Sequence, residues 1–137
     1  MEKSHFQIKS ERIFDVKFAL NKSFKFSKEG IPLDIAFKTN TEKISENEAI
    51  VMLYLKIFHE EISQTDPFYI GIGVEGIFVW DSECKDVDKL LKINAPSVLM
   101  SNLRSIISQL TVYAGVPPLI LPLIDFTKNP DNETIKS

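Results

Sequence analysis

Residues 94–126, NAPSVLMSNLRSIISQLTVYAGVPPLILPLIDF, read as one long helix, a glycine stop and a proline-punctuated apolar run. Asn94, Ala95 and Pro96 supply start signals, because proline is tolerated in the first helical turn, and Gly115 supplies the stop. Leu99, Leu103, Ile106, Leu110 and Tyr113 recur at helical spacing, which keeps one apolar stripe on one side of several turns. Met100, Ile107 and Ala114 widen that stripe, while Ser101, Ser105 and Ser108 draw a second strip of small residues. A helix apolar on one side and small on another can be packed from two directions. Leu99, Ser101, Leu103, Ser105, Ile106, Ser108, Leu110 and Tyr113 are therefore the expected oligomer interface. Beyond Gly115, Pro117, Pro118 and Pro122 hold the chain extended and remove backbone donors, so this run is not a central strand. Leu119, Ile120, Leu121, Leu123 and Ile124 are left to line something, such as the wall of an open groove.

Upstream the pattern changes to strands. In residues 6–20, Phe6 and Ile8, then Phe14, Val16, Phe18 and Leu20, share one parity, with Gln7, Lys9, Asp15 and Lys17 on the other. Leu33, Ile35 and Phe37 alternate with Asp34 and Lys38 in a second strand, and the polar residues 40–47 are expected to form a loop. Residues 47–61 carry apolar side chains on both parities, the mark of a strand covered on two sides. A fourth strand follows Asp66-Pro67, with Phe68, Ile70, Ile72 and Val74 opposite Tyr69, Gly71, Gly73 and Glu75. A short helix, DVDKLLKIN, precedes the long one. Four strands and then helices define an α+β domain with an antiparallel sheet. It spans residues 1–126, and the polar residues 127–137 are expected to fray.

The chain of 137 residues has the length of one domain, and its hydrophobic share of 44% is enough for a core. A net charge of −3, with basic residues scattered among acids, argues against a nucleic-acid binder. Cys84 is the lone cysteine, so no disulfide or thiolate metal cluster forms within one chain. The apolar segments are too interrupted for direct membrane insertion, and no signal-like stretch follows Met1, so the expected compartment is the cytoplasm.

Gly71, Gly73 and Gly76 match G-x-G-x-x-G, but a dinucleotide site needs a helix directly after them, and here the strand pattern continues. Glycine in a strand instead permits a bend, a bulge or close approach of another group. His59 beside Glu60 and Glu61 has the chemistry of a metal cluster, yet reads better as a solvated strand end. No catalytic or metal-binding set emerges, so the expectation is a protein that is not an enzyme and needs no cofactor.

One sheet has two faces, and a single long helix with a short one covers only one of them. The apolar surplus implies self-association, a client, or both. The residues also resemble a known family. FQI and RIFDVKF near the start, FYIGIGVEGIF in the fourth strand, and Pro96, Val98, Leu99, Arg104, Gly115, Pro118, Leu119, Leu121, Pro122 and Phe126 together resemble the SecB-type export chaperones. The resemblance implies a dimer with a continuous eight-stranded sheet, two of which sandwich their long helices into a tetramer. It implies an ATP-independent holdase for unfolded polypeptides, such as preproteins for export. Phe68, Ile70, Ile72, Val74 and Phe78, with the run 119–124, match its client-binding positions. Asp15 and Tyr69 match positions of the outer sheet face that dock the SecA motor. Ala19 and Gly71 replace acids there, which leaves open a client other than export substrates, such as an antitoxin. A small-molecule or lipid binder roofed by the long helix is the alternative from another class.

Overall fold

The computed structural model describes residues 5–26, 33–117, 119, 121–127 and 132–136. Strands β1 (Phe6–Leu20), β2 (Asp34–Ser45), β3 (Glu48–Ile57), β4 (Phe68–Trp80) and β5 (Asn132–Lys136) form one antiparallel sheet in the order β1-β4-β3-β2-β5. The expected polar loop 40–47 is mostly strand. Residues as far as Ser45 pair with β3, leaving Glu46 and Asn47 as a tight turn in which the Ser45 hydroxyl donates to Asn47 Oδ1 at 2.9 Å. Pairing with an apolar central strand outweighs a polar composition, because the exposed end of a hairpin needs no burial of its own. The tail, expected to fray, supplies β5, whose backbone closes the outer edge of β2 from Asp34 to Lys38.

Strand β1 departs from strict alternation. Its register against β4 slips between Ile8 and Ser10 and again between Ile13 and Asp15. Each slip inserts a residue and reverses parity, so the strand bends and its side chains change face. Ile13, Val16 and Phe18 stand opposite Val74, Ile72 and Ile70, whereas the Phe14 ring crosses to the other face.

The helical region is a single run. α1 (Val87–Lys89) passes through a π-helical turn (Leu90–Asn94) into α2 (Ala95–Tyr113). Asn94 has helical angles and caps nothing. Pro96 lacks an N–H and crowds the carbonyl one turn back, and a widened turn just before it absorbs the mismatch. The Ser97 hydroxyl adds a bond to the Ile93 carbonyl at 2.7 Å. At the other end, Gly115 adopts φ 76°, its N–H bonds Val112 O at 3.0 Å, and Val116 N–H reaches Thr111 O at 3.1 Å. This is a Schellman stop, which needs a residue free to take positive φ.

Ala95, Pro96, Leu99, Met100, Leu103, Ile107 and Thr111 form the buried side of α2, which packs on β3 and β4. Beneath it lie Ile35, Phe37, Val51, Leu53, Leu55, Ile57, Ile70, Ile72, Val74 and Phe78. Full burial of each such aliphatic side chain stabilises by about 1.5–3 kcal/mol. Among the described residues, no helix is long and apolar enough to cross a membrane.

Candidate functional site

Two surfaces follow from this architecture, one covered by the helix and one open. On the covered side, the chain after Gly115 returns along α2 as a strap. The Thr111 hydroxyl lies 2.9 Å from the Ser108 carbonyl and 3.2 Å from that of Ile107, and accepts the Leu119 N–H at 3.1 Å. The Ser108 hydroxyl donates to the Leu119 carbonyl at 3.1 Å, and the Arg104 guanidinium donates to the Pro122 carbonyl at 2.5 Å. A proline-rich segment has no sheet partner, and side chains of the helix replace one. Val116, Leu121 and Phe126 turn inward, with the Phe126 ring edge-on to Phe37 at 5.4 Å. Leu119 and Ile124 are half-buried, and Leu123 is 88% exposed. Ile120 and Pro118 lie outside the described residues.

This arrangement corrects two expectations. Phe68, Ile70, Ile72, Val74 and Phe78 are 0–4% exposed, so they form the floor under α2 and the strap rather than an accessible groove lining. Alternation in the sequence shows which side chains share a face, not that the chain's own helix seals it. The helix stripe is also rotated. Leu99 and Leu103 are fully buried core, and Ile107 and Thr111 continue the stripe. Ile106, Ser108 and Leu110 flank it half-buried, while Ser101, Ser105 and Tyr113 face solvent. Val98 and Val112, which the stripe reading missed, are exposed on the same side as Ser101 and Ser105. Their spacing with Ser108 repeats every three and four residues, a signal that was present but outweighed by the larger side chains.

The open face belongs to the opposite parity. A Cβ on Gly73 would come within 2.5 Å of the Phe14 ring and 2.8 Å of the Tyr54 ring, and one on Gly71 within 2.5 Å of the Tyr69 hydroxyl. The glycines are therefore needed because aromatic rings lie over the strand backbone. Tyr54 donates to Asp15 Oδ2 at 2.8 Å. Burial, followed by that bond to Asp15, raises the Tyr54 pKa well above the usual phenol range. Burial, then the nearby Glu60 and Asp15, likewise raises Tyr69, whose buried hydroxyl lies over Gly71 with that of Tyr54. The two proposed docking residues thus share this face, but Tyr69 is buried and Asp15 is engaged by Tyr54.

At the sheet's end, β1 is a 15-residue edge strand. Ile8, Ile13, Phe14, Val16 and Leu20 on it are 36–48% exposed. Long, exposed, apolar edges are templates for pairing with another chain.

His59 does not gather Glu60 and Glu61. Its ring bridges Asp34 at 3.1 Å and the buried Asp66 at 3.0 Å, pinning the loop before β4 to the start of β2. Burial, then the nearby Asp81 and Asp86, raises the Cys84 thiol and so weakens it as a nucleophile.

The architecture is a sheet with a long apolar edge, backed by one helix and an extended strap. Its fold matches a solved SecB-like chaperone of Mycobacterium tuberculosis, Rv1957, in complex with a ChAD peptide from the Rv1956 HigA1 antitoxin. The TM-score is 0.67 at 14% identity, over 88% of each chain. The family described as preprotein translocase subunit SecB matches residues 1–129, and this chain belongs to that family. A protein-export protein SecB of Anaplasma phagocytophilum is 38% identical over 88 residues, 58% of this chain and 56% of that protein's length. That of Ehrlichia chaffeensis is 29% identical over 118 residues, covering 78% of this chain and 67% of the relative. The uncharacterized protein MJ0357 of Methanocaldococcus jannaschii is 28% identical over 112 residues, covering 80% and 72%.

Proposed function

We propose that this chain is an ATP-independent holdase of the cytoplasm that binds non-native polypeptides on apolar surface. The observation that carries the reading is the surplus of exposed apolar side chains on β1 and the strap, with Leu123 at 88% exposed. Leu119, Leu123 and Ile124 offer the accessible part of the client surface, and Leu121 anchors the strap that presents them. Clients would be held by apolar burial with little sequence reading, shifting their folding equilibrium by mass action. No nucleotide, metal or cofactor enters this scheme.

Pairing of β1 with β1 of a second copy would hide Ile13, Val16 and Leu20 and extend the sheet across a dimer. The side of α2 bearing Val98, Ser101, Ser105 and Val112 is narrow enough for close helix packing, which supports a dimer of dimers. A dedicated client is favoured over SecA-linked export by the engagement of Asp15 with Tyr54, which occupies one oxygen of the matching acid.

Suppression of aggregation of a reduced, unfolded substrate tests the reading, alongside light scattering for subunit number. The wild-type chain should delay aggregation as an oligomer, and Leu123→Asp should weaken suppression without changing the mass. A monomer that leaves aggregation untouched ends the proposal.

A further inference from the structure

The open face of the sheet has one region whose cations are not paired. Elsewhere on it the cations have partners: Lys9 pairs with Glu48 at 3.4 Å, Arg12 with Glu75, and Lys17 with Glu60 at 3.8 Å. Lys38 and Lys56 are exposed and have no carboxylate partner among the described residues. Both border Tyr54. Lys38 stands directly across from it on β2, and Lys56 lies two residues along β3, opposite Ala36. Between them the small Ala36 leaves a depression of about 250 Å³ lined by Ala36, Phe37, Lys38, Tyr54 and Lys56.

The other flank of Tyr54 is a platform. Gly71 and Gly73 sit across from Lys56 and Tyr54 on β4, and Phe14, Tyr54 and Tyr69 lie over them. Two carboxylates act on this platform: Asp15, held by the Tyr54 hydroxyl at 2.8 Å, and Glu60, which pairs with Lys17. The patch therefore combines two exposed ammonium groups that have no ion-pair partner among the described residues with an aromatic surface. All this sits on a chain whose net charge is −3.

We propose that this patch docks a short extended segment of a partner protein, one carrying two acidic residues spaced two apart and an apolar side chain beside them. The geometry sets the spacing. Lys38 and Lys56 are diagonal neighbours on adjacent antiparallel strands, about 7–8 Å apart at their backbones. Same-side residues of an extended peptide repeat at about 6.8 Å, so acids at such positions reach both lysines. The intervening apolar surface rests on Tyr54, and a basic segment would bury the ammonium groups against like charge. This docking surface is on the face away from α2 and the strap, so it does not depend on the client reading.

Fluorescence anisotropy with two labelled peptides tests it. One is a ten-residue chain containing Leu-Glu-Tyr-Glu-Leu, and the other has both glutamates replaced by lysine. The full chain should bind the acidic peptide at least about fivefold more tightly than the basic one at ~50 mM salt, and the ratio should shrink at ~300 mM. Lys38→Glu combined with Lys56→Glu should reverse the preference while aggregation suppression and oligomer mass stay as in the wild type. If the double variant misfolds, the Lys→Gln pair should abolish the preference instead. Equal or tighter binding of the basic peptide at low salt overturns the proposal, as does an unchanged preference in the variants. A changed subunit number in a folded variant also overturns it, by marking the face as a contact between copies.

Discussion

Replacing Thr111 by Val should loosen the strap while leaving the core volume nearly unchanged. Thr111 is fully buried, and its hydroxyl mediates between the helix carbonyls of Ile107 and Ser108 and the Leu119 N–H. Valine keeps the shape and the methyl contacts but leaves that N–H without its acceptor. The helix carbonyls keep their backbone partners, so the loss is concentrated on one half-buried donor, and about 1–2 kcal/mol is expected. For a domain of 137 residues, an unfolding entropy of ~2.1 cal/mol/K per residue converts this into a Tm lower by about 3–7 °C. Because Val116, Leu121 and Phe126 anchor the strap in the core, the effect should appear in global unfolding. Amide exchange at Leu119 should also accelerate by roughly 5–30-fold, the same energy read locally. Differential scanning calorimetry with residue-resolved hydrogen exchange measures both. A Tm unchanged within ~1 °C together with unchanged Leu119 protection would refute the argument that hydroxyls hold the strap.

Gly73→Ala should cost about 1–3 kcal/mol, since the new Cβ meets the Phe14 and Tyr54 rings at 2.5–2.8 Å and both must move; chemical denaturation gives the loss and the near-ultraviolet tyrosine signal reports the displaced ring. His5 and Asp81 pair at 2.7 Å, which raises His5 above its ordinary 6.5 and lowers Asp81 below 3.8. The histidine contribution is complete below pH 6.5 and fades as pH rises through its raised value. The aspartate contribution is complete above 3.8 and fades as pH falls through its lowered value. His5→Asn should therefore narrow the Tm difference from wild type toward alkaline pH, and parallel Tm–pH curves for the two proteins would exclude the pair as a stabilising tie.

Local signals explain much of the fold. Strand parity in β4 showed which side chains share a face, Gly115 ended the helix by the conformation only glycine takes readily, and the strand continues unbroken after Gly76, where a dinucleotide turn would need a helix. Less of the candidate site was legible. The two β1 bulges send Phe14 to the face opposite its parity, and nothing in the strand itself marks where an extra residue enters. The buried helix stripe turned on Ile107 and Thr111 instead of Ile106 and Tyr113, because the sheet's position chooses among nearly equivalent sides. The mixed apolar row of β3 was expected to be covered twice, yet Ile50, Met52 and Tyr54 stay half-exposed on the outer face.

Sequence by itself determined the alternation, the helix with its stop and the surplus of apolar surface. These depend on residues close along the chain, whose periodicity is intrinsic to helix and strand geometry. Only tertiary structure decided which apolar rows the protein seals for itself and which it leaves open. It also placed Thr111 and Ser108 against Leu119, and set Lys38 and Lys56 around Tyr54. Those relations join residues far apart in sequence through strand register and helix docking, and such contacts come into being only when the whole chain has packed.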